Sequence, residues 1–134
     1  MIDLAAKFET ALPYEAFLQR HGSVEHRARW AAAFDQIRLT DEQSKLLAGF
    51  ARQVNVLCLA GAWCGDCVHQ CPILQHFSQI SKKIDVRFVD RDADADLASE
   101  LRICGGGRVP VAVLMSEDFA ECGRFGDRTL ARYR

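Results

Sequence analysis

Ala62-Trp63-Cys64-Gly65-Asp66-Cys67 is the stretch whose reading decides the fold. An apolar run, residues 54–60, precedes it and reads as a buried strand, and the residues that follow have helical spacing. Two cysteines separated by two residues at a strand-to-helix junction form a redox motif in an intracellular α/β protein. Chemistry explains the spacing. A thiolate at a helix N-terminus faces unpaired backbone N–H groups and the positive end of the helix dipole, which predicts a lowered pKa for Cys64. Cys67, one turn later, lies near enough to attack a mixed disulfide formed on Cys64. Cys64 is therefore the candidate nucleophile and Cys67 the more buried resolving thiol.

Outward from the motif, the order of residues resembles the thioredoxin family. Trp63 precedes the first cysteine, as in that family, and Pro72 falls five residues after the second, where relatives carry a helix-kinking proline. Arg108-Val109-Pro110-Val111 looks like the loop that holds the family's cis-proline, and Gly126 sits near the glycine that follows the last strand. A CxxC in this order with a later Val-Pro is a specific pattern where a CxxC alone is not. The similarity spans roughly residues 41–134. It implies an α/β thioredoxin-like fold, a central mixed β-sheet flanked by helices, with an added N-terminal helical segment. The expected division is residues 1–39 as the extension and 40–134 as the thioredoxin-like domain.

The same resemblance implies thiol–disulfide exchange on protein disulfides, with Cys64 and Cys67 cycling between dithiol and disulfide. Such a reaction needs no bound cofactor. Electrons would come from a thioredoxin-reductase-like flavoprotein or another thiol donor. Trp63, Gly65, Asp66, Arg108, Val109 and Pro110 are the expected groove and supporting residues. The alternative is a module that keeps the fold and uses the groove only to bind a partner protein. Two departures from the family pattern bear on the chemistry. Gly65-Asp66 stands where ordinary thioredoxins have Gly-Pro, and a carboxylate beside the helix start favours the thiol over the thiolate. Six residues before Cys64, where the family carries a buried aspartate that relays the resolving cysteine's proton, this chain has Cys58. His69 and His76 are near in sequence, and both read as solvated helix residues and not as the missing base. Arg108 would either contact the substrate backbone, favour the Cys64 thiolate, or lie on the surface without a role.

The chain has 134 residues, enough for one domain with a single core, and 49% hydrophobic and 26% charged residues are ordinary for a soluble globular protein. A formal net charge of −1 gives no electrostatic reason to expect nucleic acid or an anionic membrane. No apolar run approaches the length of a membrane span, and the N-terminus lacks a basic start followed by an apolar core. The expectation is a cytoplasmic monomer. Six cysteines, at 58, 64, 67, 71, 104 and 122, then read as mostly free thiols in a reducing compartment. Cys58 and Cys71 lie on apolar faces and are expected to be buried and reduced.

Cys64-x2-Cys67-x3-Cys71-Pro72 also matches the end of a bacterial ferredoxin run, but the first cysteine of that run would be residue 61, a glycine. Asp90-Arg91-Asp92-Ala93-Asp94-Ala95-Asp96 superficially looks like a calcium loop. It lacks the glycine at its sixth position (Ala95) and the glutamate at its twelfth (Leu101). No metal site is expected.

The remaining elements follow from spacing and caps. Leu4, Phe8 and Leu12, then Tyr14, Phe17 and Leu18, predict two helices, with Pro13 in the first turn of the second. Ser23 predicts the N-cap of a helix with Trp30, Ala33, Phe34 and Ile37 as its buried stripe. Thr40 and Gln43 predict a capped helix running to about Arg52. Strands are expected over 84–89, 109–115 and 119–125, with helices over 93–101 and from 127 onward. Compared with the family, that last helix stops a turn or two short, as in a truncated sequence.

Overall fold

The computed structural model describes residues 3–101 and 109–126. Four helices come before the first strand, each started by a residue suited to it. Asp3 caps α1 (Leu4–Thr10) by accepting the Ala6 N–H. Pro13, with fixed φ and no N–H to leave unpaired, stands at the N-cap of α2 (Tyr14–His21). Ser23 caps α3 (Val24–Gln36); its Oγ accepts from the His26 N–H while His26 Nδ1 accepts the Ser23 N–H. Thr40 and Gln43 form the same reciprocal pair at the start of α4 (Asp41–Ala48). That helix ends before the expected Arg52 because Gly49, a weak helix former, caps it.

β1 (Val54–Ala60) leads into α5 (Gly65–Ile80), which crosses over to β2 (Ile84–Asp90), parallel to β1. The parallel pairing follows from the crossover helix, since a tight turn could only return the chain antiparallel. α5 continues unbroken through Pro72. The segment expected as one helix over 93–101 is a 3-10 turn, Arg91–Ala93, followed by α6 (Ala95–Glu100). Asp90 caps the first and Asp94 the second, each accepting a backbone N–H. The aspartate run is thus turn and cap chemistry, and no group of three potential metal ligands occurs among the described residues.

Among the described residues, β3 (Val111–Met115) and β4 (Glu121–Gly126) join β1 and β2 in a four-stranded mixed sheet in the order β2-β1-β3-β4, with β3 antiparallel to both neighbours. β3 begins two residues later than expected because Pro110 has no N–H for the ladder. The Val109–Pro110 peptide is cis. β4 also starts late: Phe119 has φ 64°, and Ser116 Oγ accepts the N–H groups of Asp118 and Ala120, lengthening the connection. The helix expected from residue 127 lies outside the described residues.

The N-terminal helices share the core of the sheet. Phe17 and Trp30 are fully buried in the same cluster as Leu57, Phe88 and Val113. Leu12 exchanges both backbone hydrogen bonds with Phe88, at 2.9 and 2.7 Å, extending the sheet past β2 by one antiparallel bridge. The rings of Tyr14, Phe17 and Trp30 lie 5.8, 5.6 and 6.5 Å from that of Phe88. Lys7 Nζ reaches Asp94 at 2.7 Å, tying α1 to the start of α6.

Candidate active site

β1 is the central strand, and six of its seven residues are buried. It delivers the chain to a turn at Gly61, whose carbonyl accepts the Cys64 N–H at 3.0 Å. Cys64 is the N-cap of α5, in extended backbone (φ −80°, ψ 129°), and its carbonyl accepts the first helical hydrogen bond from Val68. The turn is held from outside the motif. Trp30 Nε1 of α3 donates to the Ala62 carbonyl at 2.9 Å in a fully buried contact. Trp63 is 43% exposed, with the Arg91 guanidinium 4.7 Å from its ring centre. A Cβ on Gly61 would lie 2.7–2.9 Å from that ring, so glycine permits the close approach. At Gly65 a Cβ would meet nothing within 4 Å.

The two motif thiols occupy different environments. Cys64 is half-buried, its Sγ donating towards the Val109 carbonyl at 3.6 Å. Cys67 is fully buried, and its Sγ accepts the Gly61 N–H at 3.4 Å. Both are free thiols, hydrogen-bonded to each other. That hydrogen bond is the main reason the Cys67 thiol is lowered and the Cys64 thiol raised: one thiolate is stabilised by the proton the other keeps. A further hydrogen bond, from Cys71, adds to the lowering at Cys67, and the Gly61 N–H adds more. The lowered pKa was expected on Cys64; the fold places it on Cys67, because that sulfur collects the donors. Asp66, half-buried beside it, opposes the Cys67 charge.

Val109 and Pro110 are buried and face the pair through the Val109 carbonyl. Arg108 lies outside the described residues. Cys58 sits at the middle of β1, opposite Phe88 on one side and Ala112 on the other. Its Sγ is 3.9 Å from that of Cys71, both residues being fully buried and free. His69 is exposed. His76 is not solvated as expected: its Nε2 bonds the Phe34 carbonyl at 2.8 Å and its ring stacks on Phe34 at 3.9 Å, fastening α5 to α3. Sequence reasoning placed Trp30 on a buried stripe but missed its partner at Ala62, and it missed Arg91 over Trp63. Both contacts join segments with no local pattern linking them.

A sequence model of the family described as thioredoxin matches residues 11–131. The chain belongs to the thioredoxin family. The match begins in the N-terminal helices, well before residue 41, in keeping with their place in the common core. No curated protein matches the sequence. A protein of unknown function from Pseudomonas aeruginosa has a similar structure, with TM-score 0.85 and 23% identity, over 98% of this chain and 80% of that one. An HIV epitope-scaffold is similar at TM-score 0.83 and 23% identity, over 97% and 80%. An alkylhydroperoxide reductase component from Enterococcus faecalis matches at TM-score 0.50 and 17% identity, over 62% and 40%. At these identities the likeness is one of fold. A thioredoxin-like fold that brings two cysteines together at a helix start suggests a redox-type function.

Proposed function

We propose that this chain is a thiol–disulfide oxidoreductase acting on disulfides of other proteins, with Cys64 attacking and Cys67 resolving. One observation carries the reading: a half-buried Cys64 thiol at the N-cap of α5, with a fully buried, charge-stabilised Cys67 one turn behind it. As Cys64 Sγ attacks a substrate disulfide, its proton passes to the Cys67 sulfur. One substrate sulfur joins Cys64, and the other leaves as a thiolate that water protonates. Cys67 then attacks Cys64, the mixed disulfide breaks, and the second substrate sulfur departs with the Cys67 proton. Two electrons have moved from the chain to the substrate.

Cys64 is the thiol a protein substrate can reach; Cys67 is enclosed. Trp63, Gly65 and the Val109–Pro110 segment form the groove around it, and the Val109 carbonyl offers a backbone acceptor to an extended substrate. Asp66 tunes the pair by opposing the thiolate. A flavoprotein reductase or another thiol carrier would return the pair to the dithiol in a reducing, cytoplasmic compartment, without a bound cofactor.

Two assays test this. With dithiothreitol, the chain should accelerate the reduction of insulin. In cells, a tagged Cys67→Ser variant should hold substrates as mixed disulfides on Cys64, visible on non-reducing gels, while Cys64→Ser should hold none. The reverse pattern would exchange the two roles. Absence of both activity and capture would leave the groove as a binding surface only.

A further inference from the structure

The Cys64–Cys67 pair is the outer end of a longer file of sulfur. Cys71 follows Cys67 by one helical turn on the inner face of α5, and Cys58 rises from the middle of β1 to meet it. Their sulfurs are 3.9 Å apart, and both residues are fully buried. A disulfide needs about 2.05 Å, so closing the gap asks for about 0.9 Å from each sulfur, within reach of a small χ1 rotation. Residues four apart on a helix have Cβ atoms about 5–6 Å from each other, wider than the roughly 3.5–4.5 Å a disulfide spans, so a Cys67–Cys71 bond forms only as the first turn of α5, where Cys67 sits, opens. Cysteines thus run from the half-buried Cys64 through Cys67 and Cys71 to Cys58, where a thioredoxin would have a carboxylate.

Resting on the exchange reaction proposed above, we propose that Cys58 and Cys71 are a second, buried dithiol/disulfide couple, oxidised from within by the Cys64–Cys67 disulfide. In the first step Cys71 Sγ attacks Cys67 Sγ. The Cys64–Cys67 bond breaks, the Cys67–Cys71 bond forms, and the Cys71 proton passes to the departing Cys64 sulfur. In the second, Cys58 Sγ attacks Cys71 Sγ. The Cys67–Cys71 bond breaks, the Cys58–Cys71 bond forms, and the Cys58 proton goes to Cys67. The inner dithiol has lost two electrons and two protons, and the outer disulfide has gained them. One chain then carries four electrons to its substrates instead of two.

Burial pushes the Cys71 thiol well up, with the neighbouring Cys58 and Cys67 sulfurs adding to the shift. Its proton accordingly moves with the bond change, leaving no isolated charge in the core. The inner couple is shielded from external oxidants and communicates through Cys67 alone.

The test is a redox titration of the full chain. Reduced protein is equilibrated with mixtures of reduced and oxidised dithiothreitol, quenched in acid, alkylated under denaturing conditions and weighed. Of the six cysteines, the number alkylated should fall to four and then to two, and peptide mapping after the second step should find Cys58 joined to Cys71. In a Cys71→Ala variant the second step should vanish while the first remains. In Cys67→Ala, Cys58 and Cys71 should stay reduced, because their route to the surface is gone. The wild-type map decides the matter even if a variant fails to fold. A Cys64–Cys67 disulfide with Cys58 and Cys71 still alkylated at every potential would overturn the inner couple and leave the exchange reading standing. A second disulfide that excludes Cys58 and Cys71 would do the same. If no Cys64–Cys67 disulfide forms at all, both proposals fall.

Discussion

Trp30 Nε1 donates to the Ala62 carbonyl at 2.9 Å, so a helix from the first third of the chain fixes the turn that presents Cys64. Both groups are removed from water, and neither has a local substitute. The N-terminal helices are thus part of the platform under the thiol pair. A Trp30→Phe variant keeps an aromatic ring but loses both the donor and part of the indole's volume in a fully buried site. The unpaired buried carbonyl should cost about 1–3 kcal/mol in urea denaturation, and the cavity adds to that cost. Insulin reduction should slow as well, by up to about tenfold, because the Cys64 turn is less firmly placed. Wild-type stability and rate in this variant would mean the hydrogen bond holds nothing.

Lys7 and Asp94 give the fold a measurable pH signature. At Asp94, burial alone would raise the carboxyl; the Lys7 hydrogen bond and charge, with the backbone N–H groups at the start of α6, outweigh it and leave a net lowering. Lys7 is raised, chiefly by its hydrogen bond to Asp94. A lowered acid stabilises the fold above its ordinary value of 3.8 and loses that contribution as pH falls through its folded value. A raised base contributes below its ordinary 10.5 and loses the contribution as pH rises through its folded value. Lys7→Met should therefore melt a few degrees below wild type at pH 7 at most, with the gap narrowing in acid below 3.8 and in base above 10.5. A gap that stays constant with pH would point to packing of the lysine stem instead.

Tyr14 Oη is buried and has no hydrogen-bond partner among the described residues, and burial pushes its pKa up. The ring itself is well used, against Trp30, Phe34 and Phe88. Tyr14→Phe removes the uncompensated hydroxyl and keeps the ring. The expected result is unchanged or increased stability, by up to about 1 kcal/mol. A loss larger than that in denaturant unfolding would reveal a partner for the hydroxyl.

Gly61→Ala places a methyl group 2.7–2.9 Å from the Trp63 ring. The ring is 43% exposed and free to swing, which would part it from Arg91. The stability cost should stay near about 1 kcal/mol, the scale of an exposed cation–π contact. In a Trp30→Phe background Trp63 is the sole tryptophan, so its fluorescence should shift towards that of a solvated indole. An unaltered emission spectrum would show that the ring had not moved.

Much of the fold could be read locally. The run 54–60, the Cys64-x2-Cys67 junction and the Ser23 and Thr40 caps are each decided by residues within a turn or two of one another, so the sequence contains their whole cause. Pro110 shortens β3 for an equally local reason, its missing N–H. What the sequence by itself determined, then, was the strand–motif–helix unit, the family it resembles and the candidate thiol pair. The tertiary structure alone decided the surroundings that set the two thiols apart, since the Gly61 N–H, Cys64 and Cys71 converge on Cys67 only once α5 packs on β1. It alone brought Trp30 to Ala62, across 32 positions, and Cys58 to Cys71, across 13. Periodicity tells which face of an element is buried, and it carries no information about which buried group on another element will meet it.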